Sequence, residues 1–239
     1  MNLPALNEPE KKLKVLLEMR PALDGHAGIP QETRLLFRAL RLMPQVEACG
    51  LLQSSGHMLA EGLPTSHEAL AAMPSHRRIN RLSRVVVSLR QGLYNPHLGT
   101  VSMLLRRLIG RRERLSRFDP THFRDFVWRS LFARTLHPED IETVVGAEFR
   151  VARVPWTAMH RCALAMRNLG HALYPRLDTS DFDLMISETP YPGIVSSRTR
   201  LIVRYHDAIP LLMPHTISNK NHHQASHYQA LRRNVADGA

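Results

Sequence analysis

A chain of 239 residues can bury one large core or two small ones. Its 44% hydrophobic and 22% charged residues are the ordinary proportions of a soluble globular protein. The 32 Lys and Arg against 21 acids give a net charge of +11 with neutral histidines, which suits a polyanionic partner (nucleic acid, an anionic membrane surface or a phosphorylated substrate) and says nothing of fold. Cys49 and Cys162 lie far apart in apolar segments and form no CxxC pair, so a structural zinc site is not expected and buried, reduced thiols are. No apolar run approaches the ~20 residues of a membrane span, and the N-terminus MNLPALNEPEKKLK lacks the apolar stretch of a signal peptide. A cytoplasmic location is expected.

Residues 1–11 read as a loose tail. Leu13 to Met19 is a short apolar run of the kind a buried parallel strand shows. A loop from Arg20 to Gly28 follows, and Pro30 opens a helix at a position where its missing N–H costs nothing. Ile29, Thr33, Leu36, Leu40 and Met43 recur at helical spacing and predict its core face. Val46 to Leu52 reads as a second strand, completing a βαβ unit. From His76 to Arg117 there are eleven arginines and a single acid, Glu113. Leu82, Val85, Val86 and Leu89, then Val101, Leu104, Leu105 and Leu108, sit among them and predict two basic amphipathic helices broken near Asn95-Pro96. Asp119-Pro120 caps a helix running through Phe123, Phe126, Val127, Leu131 and Phe132. Pro155 opens another, ending at Gly170. Phe182–Ile186 and Leu201–Tyr205 read as strands, and Asn219 to Ala236 as a long polar helix stopped by Gly238. A doubly wound domain would continue with another strand, so a chain end just after this helix reads as a truncation.

Several constellations could carry chemistry. Asp24-Gly25-His26-Ala27-Gly28-Ile29-Pro30 joins the first strand to the first helix. Its glycines allow close approach, and the amides of Gly28, Ile29 and Gln31 could cradle a diphosphate at the helix N-terminus. The alternative is a plain connecting turn. Leaving the strand LIVRY, His206 would stand on the same rim, tuned by the adjacent Asp207, as a donor to a sugar hydroxyl or phosphate. It could equally cap the strand end. Glu188, in the loop SETPYPG, either faces the cleft or belongs to a rigid connector. His222, His223 and His227 share the last helix, but no HExxH glutamate accompanies them, so no metal is expected. The arginine-rich stretch is either a solvated helix face or a surface for an anionic membrane, from Arg77 to Arg117. Few aromatics interleave with it, which speaks against single-stranded nucleic acid.

Together, KVLLEMRPALDGHAGIPQETRLLFRAL, FVWRSLFARTL, FDLMISETPYPG and TRLIVRYHDAIPLLMPHTI resemble the N-terminal domain of the group 1 family of retaining glycosyltransferases, of GT-B type. The tail HHQASHYQALRRNV is similar to the helix leading to the domain crossover. The resemblance covers most of the chain, and its motifs persuade by order and spacing. It implies an α/β fold: a Rossmann-like parallel sheet flanked by helices over residues 12–239, with an arginine-rich helical insertion at about 66–135 and no C-terminal donor-binding domain. It implies His206 as the active-site histidine contacting the donor sugar. Gly25, Gly28, Ile29, Gln31, Glu188 and Asp207 would bind donor or acceptor, and no cofactor is implied. Ile-Pro at 29–30 departs from the family's more common Ile-Gly. Glu10 and Glu18 have the spacing of the family's glutamate pair but straddle tail and strand, a coincidence. The implied reaction moves a sugar from a nucleotide-sugar to a glycan or lipid-linked acceptor of the cell surface, at the inner membrane face, and the chain alone is expected to be inactive. The alternatives are a polyanion- or nucleic-acid-binding module and a non-catalytic scaffold for a separate donor-binding subunit.

Overall fold

The computed structural model describes residues 11–92, 96–165, 172–216 and 223–239. Residues 1–10 of the expected tail, the break at Asn95, the helix end at Gly170 and residues 219–222, with His222, lie outside them. The architecture is α/β, a mixed six-stranded sheet with helices on both faces.

β1 (Leu13–Glu18) is central because it is apolar on both faces: Val15 and Leu17 point into one core, Leu16 into the other. It pairs in parallel with β2 (Val46–Leu52) on one side and with β7 (Leu184–Ser187) on the other. β5 (Glu148–Val151) extends the sheet beyond β2, and β8 (Arg200–Val203) beyond β7, again in parallel. β4 (Ser116–Phe118) closes one edge antiparallel to β5. The order is therefore β4-β5-β2-β1-β7-β8, and the direction of winding reverses between β1 and β7. A two-stranded ribbon joins β3 (Glu113–Arg114) to β6 (Leu177–Asp178).

One face is covered by α2 (Ile29–Leu42), α4 (Ser75–Arg90), α6 (Arg124–Val127) and α7 (Ile141–Val145). The other is covered by α5 (Pro96–Leu108) and α8 (Trp156–Ala165), with α10 (His223–Ala236) packed on α8 and α9 (Ile209–Leu212). The described residues also form two short helices, α1 (Arg20–Leu23) and α3 (His67–Ala71). The arginine-rich stretch is woven into the domain: α4 and α5 lie on opposite faces, and β4 is part of the sheet.

Local structure departs from the sequence expectations in four places. The loop after β1 contains the helical turn α1. The core face of α2 is shifted: Thr33 and Leu40 are buried as expected, Met43 is exposed, and Arg34 and Phe37 take the interior. Phe37 goes in because it stacks between Phe132 and Phe149, with ring centroids 5.5 and 5.8 Å away. The helix expected after Pro120 is a 3₁₀ turn (Thr121–Phe123), then α6, then a π turn (Trp128–Phe132) closed by Ala133 N–H donating to Trp128 O at 2.9 Å. The widened turn leaves the carbonyl of Leu131 to accept from Arg34 Nε at 2.6 Å. Finally, the strands expected at Phe182–Ile186 and Leu201–Tyr205 run over Leu184–Ser187 and Arg200–Val203. Turns claim the residues before β7, where Phe182 N–H bonds Thr179 O. Gly238, at φ +85, stops α10 where expected.

Candidate active site at the carboxyl rim

The five parallel strands end on one rim. The winding reverses there between β1 and β7, the usual ligand position in open α/β sheets. Glu188 follows β7 directly and is fully buried; Arg204 and His206 follow β8, and Glu32 sits in the first turn of α2. These four side chains meet. His206 Nε2 lies 2.9 Å from Glu188 Oε2, and its Nδ1 lies 3.2 Å from Glu32 Oε2. Arg204 reaches Glu188 Oε1 at 3.4 Å and also pairs with Glu32.

Burial pushes the Glu188 carboxyl above its ordinary range; Arg204 and then His206 pull it down, and Glu32 adds to the rise. Such a carboxyl can hold a proton or an imidazolium in place. Glu188 fixes the ring from the buried side. Glu32, half-buried, is the partner that a ligand hydroxyl could replace. Glu32, Glu188 and His206 also bring three potential metal-ligand atoms within 4.8 Å of one another. The guanidinium of Arg204 already bonds both carboxylates, and its charge opposes a second cation between them.

A second polar network joins the ends of β1 and β7. Glu18, buried at the end of β1, accepts from Arg20 Nε at 2.6 Å and from Ser187 Oγ at 2.6 Å. Arg20 also donates to Thr189 Oγ1 at 3.0 Å and lies over the ring of Trp156, 4.4 Å from its centroid. Asn234 of α10 clamps the same loop, accepting from Tyr191 N–H at 2.8 Å and donating to Tyr191 O at 3.0 Å. The Glu188 segment is thus fixed from both sides.

The loop from Asp24 to Gly28 is exposed, and Gly25 and Gly28 take φ of +66 and +68, which an L side chain rarely adopts. Gly28 is the N-cap of α2, and no side chain caps that end. The amides of Ile29 and Gln31 therefore remain for a ligand, Pro30 having none. Arg34 holds the loop from beneath: its Nη2 donates to Ala22 O at 2.7 Å and Gly25 O at 3.0 Å, and its Nη1 to Thr135 Oγ1 at 2.9 Å. Asp24, with Ser54, Ser55, His57, Arg129 and Arg134, lines an adjoining cleft of about 450 Å³.

The rim thus joins His206 and Glu188, with the N-terminus of α2 brought alongside by Glu32. Asp207 does not serve as the carboxylate partner of His206: its Oδ1 accepts from Ile209 N–H at 2.9 Å, turning the chain into α9. Glu32 and Glu188 take the role expected of Asp207. On the last helix, His227 faces Tyr205, with Nε2 3.4 Å from its hydroxyl. Sequence reasoning missed Arg204, Glu32, Glu18 and Arg20. The signal for Glu18 was a charge at the end of an apolar strand, where a buried side chain needs a partner. Compared with known proteins, the chain matches no family model, no curated protein and no solved structure.

Proposed function

We propose that the chain is the acceptor-side domain of a retaining GT-B glycosyltransferase, with a Rossmann-like sheet, that moves a sugar from a nucleotide-sugar to a cell-surface glycan or lipid-linked acceptor. The observation that carries this reading is the meeting of Glu188, His206, Arg204 and Glu32 beside the uncapped N-terminus of α2, where the winding of the sheet reverses. A sugar hydroxyl would take the place of Glu32 on His206. Gly28 and the amides of Ile29 and Gln31 would receive a diphosphate, aided by the positive end of the helix dipole. In an enzyme of this type a second domain holds the nucleotide, and the oxocarbenium-like transition state needs groups from both sides. Ligand binding is the direct readout of the groups on this domain. Titration calorimetry with nucleotide-sugars and lipid-linked glycans tests the reading: His206→Ala should weaken sugar binding about fivefold or more, the scale of a lost hydrogen bond. Equal affinity in wild type and variant would defeat it.

A polyanion-binding module is the second reading, favoured by arginine-lined clefts such as that at Arg129 and Arg134. It predicts affinity for nucleic acid that falls steeply with salt. It gives no use to the rim cluster and ranks second.

A further inference from the structure

α5 carries an apolar stripe left open to solvent. Val101, Leu105, Leu108 and Ile109 follow helical spacing at the end of α5 and remain 55%, 58%, 65% and 65% exposed. The opposite side of α5 is the one that packs, burying Met103 in the core shared with α8. α4 behaves differently: it buries Leu82 and Val85, so its arginines form the wet side of an ordinary amphipathic helix.

The stripe ends in a tight fold-back. Gly110, at φ +74, donates to Arg107 O at 3.2 Å, and Arg111 N–H donates to Arg106 O at 2.8 Å, the two bonds of a Schellman turn. The backbone of Arg111 is thereby returned onto that of Arg106. These two arginines, with Arg112, Arg114 and Arg153, line one cleft of about 660 Å³. Its five guanidinium groups face three carboxylates. Glu113 already pairs with Arg106 at 3.1 Å and Asp178 with Arg112 at 4.0 Å, leaving Glu61. Arg153 Nε is buried without a hydrogen-bond acceptor.

We propose that the Val101–Ile109 face of α5 and the adjoining arginine cleft dock the chain on an anionic lipid surface, with lipid phosphates at the cleft and the acyl boundary against the stripe. An apolar stripe alone would suit many partners; its junction with excess guanidinium charge selects an anionic interface. The 13 residues of α5 span about 20 Å, so the helix lies along the surface. Among the described residues no helix is long and apolar enough to cross a membrane. Docking at α5 is separate from sugar binding at the rim, so His206→Ala should leave it intact.

The test is sedimentation of the full chain with phosphatidylcholine vesicles, with and without phosphatidylglycerol. Binding is expected only with phosphatidylglycerol, is weakened by salt, and is not competed by millimolar inorganic phosphate. Arg111→Ala with Arg112→Ala should reduce it roughly 25-fold, at about fivefold for each arginine near an anionic surface. Leu105→Ser with Ile109→Ser should reduce it about tenfold or more without changing the charge; both residues are exposed, and unchanged circular dichroism verifies the fold. The same loss from Arg77→Ala with Arg84→Ala on α4 would mean unspecific charge attraction and overturn the proposal. So would absence of binding at low salt, or self-association abolished by the Leu105 and Ile109 changes in a chain that ignores vesicles.

Discussion

Replacing Glu188 by glutamine keeps the shape of the side chain and removes its charge. Burial raises the pKa of the carboxyl above 4.5 although Arg204 and His206 oppose it, and each unit of rise means about 1.4 kcal/mol against the ionised form in the folded state. A folded-state value above the unfolded one gives extra stability that is complete below pH 4.5 and lost as pH rises through the folded value. Glu188→Gln should therefore match the wild type near pH 4.5 and become the more stable protein toward pH 7. The opposing term is the ion pair to Arg204. At 3.4 Å, with Arg204 partly exposed and still paired with Glu32, it is worth about 0–1 kcal/mol. The glutamine amide can still bond His206 Nε2. Glu188→Ala leaves a buried gap and two unmatched partners, and should cost about 2–3 kcal/mol. Urea denaturation followed by circular dichroism between pH 4.5 and 8 reads all three proteins. A loss of more than about 2 kcal/mol in Glu188→Gln at pH 7 would refute the reasoning, because the pair would then outweigh desolvation.

Three further outcomes are expected. Arg34→Met should destabilise by about 2–4 kcal/mol by leaving the buried carbonyls of Ala22 and Leu131 without their Arg34 donor, while Gly25 O keeps Arg134; urea midpoints check this, and Arg34→Lys, with fewer donors, should recover less than half. Gly28→Ala meets no atom within 4 Å but must hold φ +68, so it should cost about 1–2 kcal/mol and weaken diphosphate binding in calorimetry. Burial pushes the Cys162 thiol up to about 11 and the Cys49 thiol higher still, so an aromatic disulfide reagent at pH 8 should label neither in the native protein and both in guanidinium chloride.

The βαβ opening was legible because β1 and β2 are short, largely apolar runs and α2 has Pro30 at its first turn. The shared rim followed from these elements: once β8 runs parallel to β1, His206 must emerge beside the Gly28 loop. β4 and β5 were not legible. They have three and four residues, too few for periodicity to register, and both carry arginine. In β5, Arg150 reaches Asp181, in the turn before β7, at 3.2 Å, so long-range pairing helps to determine its place. The buried Arg34 was hidden for the same reason: its acceptors are carbonyls 12 and 97 residues away. Asp207 misled because sequence adjacency to His206 counted for more than the turn geometry that occupies its carboxylate.

The most direct measurement follows the ring resonances of His206 by NMR in the labelled chain during titration with UDP-, GDP-, ADP-, dTDP- and CMP-sugars and with lipid-linked glycans. Saturable shifts of the His206 ring are expected with at least one ligand, accompanied by the amides of Gly28, Ile29 and Gln31, and lost in Glu188→Ala. Shifts confined to other surfaces, or none across the panel, would contradict ligand binding at the rim.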